Sequence, residues 1–328
     1  MPKILIIRLS SMGDIILTTP VLRCIKEQIP HAQIHFLVKH KFKDAINTNI
    51  HISKIYTFNG DLRKVTNVLR KEKYDMVIDL HNNIRSSYIK MKLDTKSYTY
   101  NKSNIYKWLY TTFRINKMPT THIVDRYMEA VKPLGVLNDH KGLDYHIRDK
   151  DKIDIQTLPP EFHQGYISFA IGGTFATKRL PNHKIISIIN KLNKPVVLLG
   201  GEDDHAHAYE IESKSKNKVY NACGKYKLGQ SASIIQQSLY VISHDTGLMH
   251  IAAALNKPMV SVWGNTVPEF GMTPFYGEST VAHEIFEVKG LSCRPCSKIG
   301  FNSCPKKHFK CMENIETSKI ANLINQEC

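Results

Sequence analysis

The chain has 328 residues, 42% of them hydrophobic and 23% charged, which suits a soluble globular protein long enough for two domains. No apolar run approaches membrane-span length, and the first apolar stretch, residues 4–7, lacks a signal-peptide layout, so the expected compartment is the cytoplasm. The net charge of +16 suits an anionic membrane surface, a phosphorylated substrate or nucleic acid, or is only a solvated lysine-rich surface. No nucleic-acid module accompanies the scattered lysines (Lys39, Lys41, Lys43, Lys64 and others), so no nucleic-acid partner is expected.

Residues 4–7 read as a buried parallel strand, followed by the polar turn Arg8-Leu9-Ser10-Ser11-Met12-Gly13-Asp14. A helix restarts at Pro20, with Thr19 as cap and Val21, Leu22, Ile25 and Ile29 as its apolar face. Strands follow over 33–38, 54–58 and 75–80, with an amphipathic helix over 61–72 between the last two. Helical patterns cover 105–113 and 122–134. The charged, proline-bearing stretch 138–164 has no periodicity and reads as the inter-domain boundary, giving domains 1–150 and 151–328. Alternation then resumes. Strands at 166–171, 196–199, 219–222, 239–242 and 259–263 are separated by helices at 181–192, from 205, at 228–237 and after Gly247, and a last helix spans 316–326. This order predicts two α/β halves with parallel sheets, ligands near the strands' C-terminal ends and a cleft between the halves.

Four stretches can carry chemistry. Asp245-Thr246-Gly247 stands between a strand and a helix, so its backbone N–H groups and the helix dipole suit a phosphate; Asp245 and Thr246 can equally cap the helix. His250 lies in the first turn and can face the same ligand or be a core histidine. Gly172-Gly173-Thr174 through Lys178 is a second phosphate-type loop without a Walker ending. Glu202-Asp203-Asp204 offers a carboxylate for ribose hydroxyls or for helix capping. Asp14 is either a dipole-favoured N-terminal charge or a general base.

The run 245–264, with Asp245-Thr246-Gly247, His250, Ala253-Ala254-Leu255, Lys257-Pro258 and Gly264 before Thr266, resembles the nucleotide-sugar motif of the family 9 glycosyltransferases, the bacterial heptosyltransferases; Asn265 stands where that family usually has proline. The segment from Arg8 to Asp14, with Thr18-Thr19-Pro20 after it, is similar to the family's N-terminal signature. The resemblance implies the GT-B fold, two Rossmann-like domains facing each other across a cleft, with an acceptor domain first and a donor domain second. It implies inverting transfer of heptose from ADP-heptose to a lipopolysaccharide core, at the inner membrane's cytoplasmic face, with Asp14 as general base. Thr174 and Lys178 match the phosphate loop, Asp204 (Glu202 as runner-up) the ribose acid, and Tyr226 the adenine neighbour. Ser11 and Gly13 fall on the acceptor side, and His81, Asn82 and Arg85 either line that side too or serve a purely structural role. No Asp-x-Asp motif for a nucleotide-bridging metal is recognised anywhere in the chain, which favours a metal-independent mechanism, and no cofactor is expected.

Cys293, Cys296, Cys304 and Cys311 form a late cluster, read as reduced loop thiols ahead of a structural zinc site. The rivals are a related transferase using another nucleotide sugar, an epimerase of the same two-domain shape and, more remotely, a non-enzymatic basic binding protein.

Overall fold

Short runs of β-branched and aliphatic residues, buried on both faces, form the centre of two parallel sheets. The computed structural model describes residues 1–328. Strands β1 (Lys3–Ile7), β2 (Gln33–Lys39), β3 (Lys54–Phe58), β4 (Met76–Asp79) and β5 (Ser97–Thr99) make the first sheet, in the order β3-β2-β1-β4-β5. The second sheet contains β6 (Ile167–Ala170), β7 (Val196–Leu199), β8 (Val219–Asn221), β9 (Tyr240–His244), β10 (Met259–Trp263) and β11 (His283–Glu287), in the order β11-β10-β9-β6-β7-β8. Each order reverses once, between β1 and β4 in the first sheet and between β6 and β9 in the second. Doubly wound sheets bind ligands beyond the strand ends at such reversals.

The helices of the first half are α1 (Met12–Ile16), α2 (Thr19–Gln28), α3 (Leu62–Lys71), α4 (Ile84–Leu93), α5 (Asn104–Phe113) and α6 (Ile123–Met128). Those of the second are α7 (Asn182–Ile189), α8 (His205–Lys214), α9 (Leu228–Gln237), α10 (Gly247–Ala254), α11 (Lys310–Glu313) and α12 (Thr317–Glu327). The C-terminal helix lays Ile320 and Ile324 into the core formed by Ile167, Phe169, Leu198 and Ile242. Apolar burial of this kind contributes roughly 25 cal/mol per Å².

The chain divides into two compact units with two exchanges of sequence between them. One comprises Met1–Ser103, Thr120–His146 and Phe275–Ser279; the other comprises Asn104–Pro119, Ile147–Pro274 and Thr280–Cys328. A single cut at residue 150 therefore misses α5, which belongs with the second unit. Residues 12–16, read as part of a turn, form α1, and Thr18 rather than Thr19 caps α2. The sequence reading also missed α4, β5, β11 and α11. Three of these are only three to five residues long, and β11 is an edge strand with polar alternation, so none presents a sustained apolar period. No helix is long and apolar enough to cross a membrane.

Candidate active site

In the second unit, the reversal between β6 and β9 brings two loops together. Lys178 ends a short 3-10 turn after β6, and its Nζ lies 2.5 Å from Asp245 Oδ2, just past β9. Thr266 Oγ1, beyond β10, donates to the same oxygen at 2.8 Å. Thr246 stands at the N-cap of α10 in extended conformation without a side-chain cap bond, so the first N–H groups of the helix are not taken up by its cap residue. Asp245 is thus engaged by Lys178 and Thr266, and the capping alternative does not hold. A Cβ placed on Gly173 would touch the Thr246 methyl at 3.5 Å, which puts the first loop directly against the start of α10. Thr174 is exposed on that loop, and His250 is buried in the first turn of α10. A cation, a hydroxyl and helix N–H groups therefore converge on one spot suited to a diphosphate.

The acidic turn after β7 resolves into two roles. Asp204 is buried; its Oδ2 accepts from Gly201 N–H at 3.0 Å and its Oδ1 from Arg179 Nη1 at 3.1 Å. A Cβ on Gly172 would stand 2.5 Å from Asp204 Oδ2, so only glycine admits this carboxylate. Asp204 consequently fills the capping role, and Glu202 and Asp203 are the exposed carboxylates of the turn. Glu202 packs beside Gly224, two residues before Tyr226. The half-buried Tyr226 hydroxyl lies 3.2 Å from that of Tyr220, and burial, then this hydrogen bond, push its pKa up to about 12.

Three supports were not found from sequence. His244, the last residue of β9, accepts the Leu180 N–H on Nε2 at 3.0 Å and ties the end of the phosphate-type loop to the strand. Complete burial, then Arg179, lower its pKa to about 3, so it is neutral with its proton on Nδ1. Arg294 donates Nε to Gly264 O at 2.6 Å and Nη2 to Thr266 O at 2.8 Å, and pairs with Glu287 at 2.7 Å, clamping the loop that presents Thr266. Thr177 Oγ1 donates to Phe301 O at 3.1 Å and accepts Phe301 N–H at 2.8 Å, strapping the loop after β6 to the cysteine-rich segment. Asn265 is buried with both side-chain amide atoms unpaired within the protein.

The four clustered cysteines are free thiols; Cys293 Sγ lies 3.8 Å from His308 Nε2, and burial, then Cys296, push Cys311 up to about 12. No three His, Cys, Asp or Glu side chains are arranged to hold a metal ion. Contrary to the expectation that the chain has no Asp-x-Asp triplet, one occurs at Asp149-Lys150-Asp151, where Asp149 pairs with Lys152 and Asp151 with Arg148.

In the first unit, Asp14 lies in the first turn of α1, past β1. Its Oδ2 accepts from Ser11 N–H at 3.1 Å and Ser11 Oγ at 2.7 Å, and its Oδ1 lies 2.7 Å from Arg8 Nη2. Burial alone would lower the Arg8 pKa, but Asp14, with Tyr127 and Tyr100, raises it overall, and the guanidinium stays charged. Arg8 also donates to the Leu80 carbonyl, which joins the ends of β1 and β4. Buried Asp79 accepts the N–H groups of His81 (2.9 Å) and Asn82 (2.8 Å), and Asn82 takes a left-handed φ of 49°. Burial, then Arg8, lower the His81 pKa to about 3. Gly13 is buried within α1, and Arg85 is exposed in the first turn of α4. The Lys39 pKa is lowered by burial and then by the cations Arg85 and Lys41, which marks a basic patch past β2 and β4. The first-unit candidates thus gather at the β1/β4 reversal, and the donor-type residues at the β6/β9 reversal.

Two doubly wound units, each with candidate residues at its reversal point, define the two-domain class of architecture shared by nucleotide-sugar transferases and epimerases. The model for glycosyltransferase family 9 (heptosyltransferase) matches residues 62–300. Lipopolysaccharide heptosyltransferase 3 of Escherichia coli K12 is 27% identical over 280 residues, covering 77% of this chain and 80% of that protein. A family 9 glycosyltransferase from Veillonella parvula superposes with a TM-score of 0.79 at 22% identity, covering 99% of this chain and 97% of the other. The E. coli ADP-heptose lps heptosyltransferase II superposes with a TM-score of 0.70 at 21% identity, covering 99% of this chain and 100% of that one. The chain belongs to glycosyltransferase family 9, and it is a glycosyltransferase. The epimerase and binding-protein rivals fall away.

Proposed function

We propose that the enzyme transfers heptose from ADP-heptose to a lipopolysaccharide core sugar, with inversion at the anomeric carbon. The observation that carries this reading is the convergence of Lys178, Thr266 and the uncapped start of α10 around Asp245. The relatives' names, which specify heptosyltransferases and in one case ADP-heptose, support the donor assignment.

In this reading Lys178 and the N–H groups of α10 hold the diphosphate, Glu202 binds the ribose hydroxyls and Tyr226 lies beside the adenine. The acceptor hydroxyl oxygen attacks the anomeric carbon on the face opposite ADP. A new C–O bond forms there, and the bond from that carbon to the β-phosphate oxygen breaks. Asp14 takes the hydroxyl proton, and ADP leaves with the bonding electron pair. Negative charge grows on the diphosphate in the transition state, so prepositioned positive groups lower the barrier. The basic patch of Lys39, Lys41 and Arg85 suits an anionic core acceptor, and the net charge a peripheral place on the inner membrane's cytoplasmic face.

Incubation of the purified enzyme with ADP-heptose and a heptose-deficient core acceptor tests this. One added heptose by mass spectrometry, with ADP released in equal amount, is expected. An inert ADP-heptose alongside an active second nucleotide sugar overturns the donor assignment.

A further inference from the structure

We propose that the outward face of α5 docks the protein onto an anionic lipid bilayer. None of the ten residues of α5 is buried. Two contacts to the rest of the second unit lie on one stripe: the Lys107 ammonium lies 5.7 Å from the Phe270 ring centre, and the Tyr110 ring lies 6.1 Å from the same ring. Just past the helix, Arg114 donates to the carbonyls of Ser292 at 2.9 Å and Cys293 at 3.2 Å. Positions 107, 110 and 114 share a helical face. The opposite face carries Ile105 (72% exposed), Trp108 (49%) and Phe113 (55%). A surface helix ordinarily turns its apolar stripe inward and its charges outward; here the polarity is reversed.

The outward side chains form one ridge. Trp108 and Phe113 meet edge to face at 5.2 Å. Lys298 Nζ donates to the Asn104 carbonyl at 3.4 Å, bringing the turn with exposed Ile299 to the start of the helix. The surrounding sequence is one-sided in charge. Residues 95–124 contain five Lys or Arg and no Asp or Glu, and residues 288–312 contain six and none. An apolar ridge with Trp at its centre and cations around it fits the headgroup boundary of an anionic membrane. A second copy is disfavoured, because a two-fold contact would set this basic border against itself. The proposal extends the reading of a lipid-linked acceptor. Its test contains neither donor nor acceptor, so failure of either is seen separately.

The chain has two tryptophans, and Trp263 is 1% exposed, so a membrane-induced emission change reports on Trp108. The probe is flotation with vesicles of phosphatidylglycerol and phosphatidylcholine against phosphatidylcholine alone, with Trp emission and brominated-lipid quenching read in parallel. The proposal expects flotation, a blue shift and quenching on the anionic vesicles, weakened at high salt. It also expects an affinity loss of about tenfold or more in Ile105→Ser/Phe113→Ser, with circular dichroism and ADP binding unchanged. Three results overturn it: no flotation on either vesicle, vesicle binding undiminished in the double variant, or a concentration-dependent dimer that the double variant abolishes without any vesicle binding.

Discussion

Lys178 Nζ stands 2.5 Å from Asp245 Oδ2, joining the loop after β6 to the loop after β9 where the strand order reverses. Both side chains are mostly buried, so removing one partner leaves the other charge poorly compensated. Lys178→Ala and Asp245→Ala should each weaken ADP binding about tenfold to a hundredfold, the range of a charged hydrogen bond worth about 1.5–3 kcal/mol. The double variant should lose clearly less than the sum of the two. Calorimetric titration of all three variants measures the coupling, and strict additivity would show that the pair does not act as a unit.

Asp204 and Glu202 are two residues apart and should separate cleanly. Glu202→Gln should weaken ADP binding several-fold with little change in unfolding midpoint, since its carboxylate is exposed. Asp204→Ala should lower stability by about 1–3 kcal/mol, because it strips a buried partner from Gly201 N–H and Arg179. The reverse pattern would return the ribose role to Asp204.

Asp14→Asn keeps the shape of the side chain but cannot take a proton at neutral pH. It should reduce kcat by roughly 10²- to 10⁴-fold, the range of general-base catalysis, with ADP affinity unchanged. Single-turnover rates alongside calorimetry separate the two effects. A variant with near-normal kcat would remove Asp14 from the proton transfer and leave it as the partner of Arg8 and Ser11.

His244 and His81 have pKa values lowered from 6.5 to about 3, the first by burial and then Arg179, the second by burial and then Arg8. The unfolded chain therefore binds more protons than the folded one between these values. Stability is fully present above pH 6.5 and falls as the pH drops toward 3, by about 1.4 kcal/mol per pH unit for each histidine. Urea unfolding at neutral pH and at about pH 5 should show this loss, and His244→Gln should make it shallower. An identical pH dependence in the variant would mean that His244 does not control the acid limb.

The fold was largely legible because most strands are short, mainly apolar runs that end at polar or glycine-bearing turns. The segments at 54–58, 196–199 and 259–263 match strands β3, β7 and β10 residue for residue. Site residues next to such strands, Asp14, Lys178 and Asp245, could be placed for the same reason. What sequence did not reveal depends on tertiary contact. Arg294 reaches the Thr266 loop from about thirty residues away, and His244 earns its role only by meeting Leu180. That Asp204 packs against Gly172 and Gly200 while Glu202 stays exposed is a matter of packing rather than spacing. The apolar side of α5 was visible as a helical period, but nothing in the sequence told which face would be turned outward.

The most direct test of the central claim is calorimetric binding of ADP, GDP, UDP and dTDP to the purified protein. Selective binding of ADP, lost in Lys178→Ala, is the predicted result. Preference for another nucleotide, or no binding by any of the four, would contradict the assignment of ADP-heptose as donor.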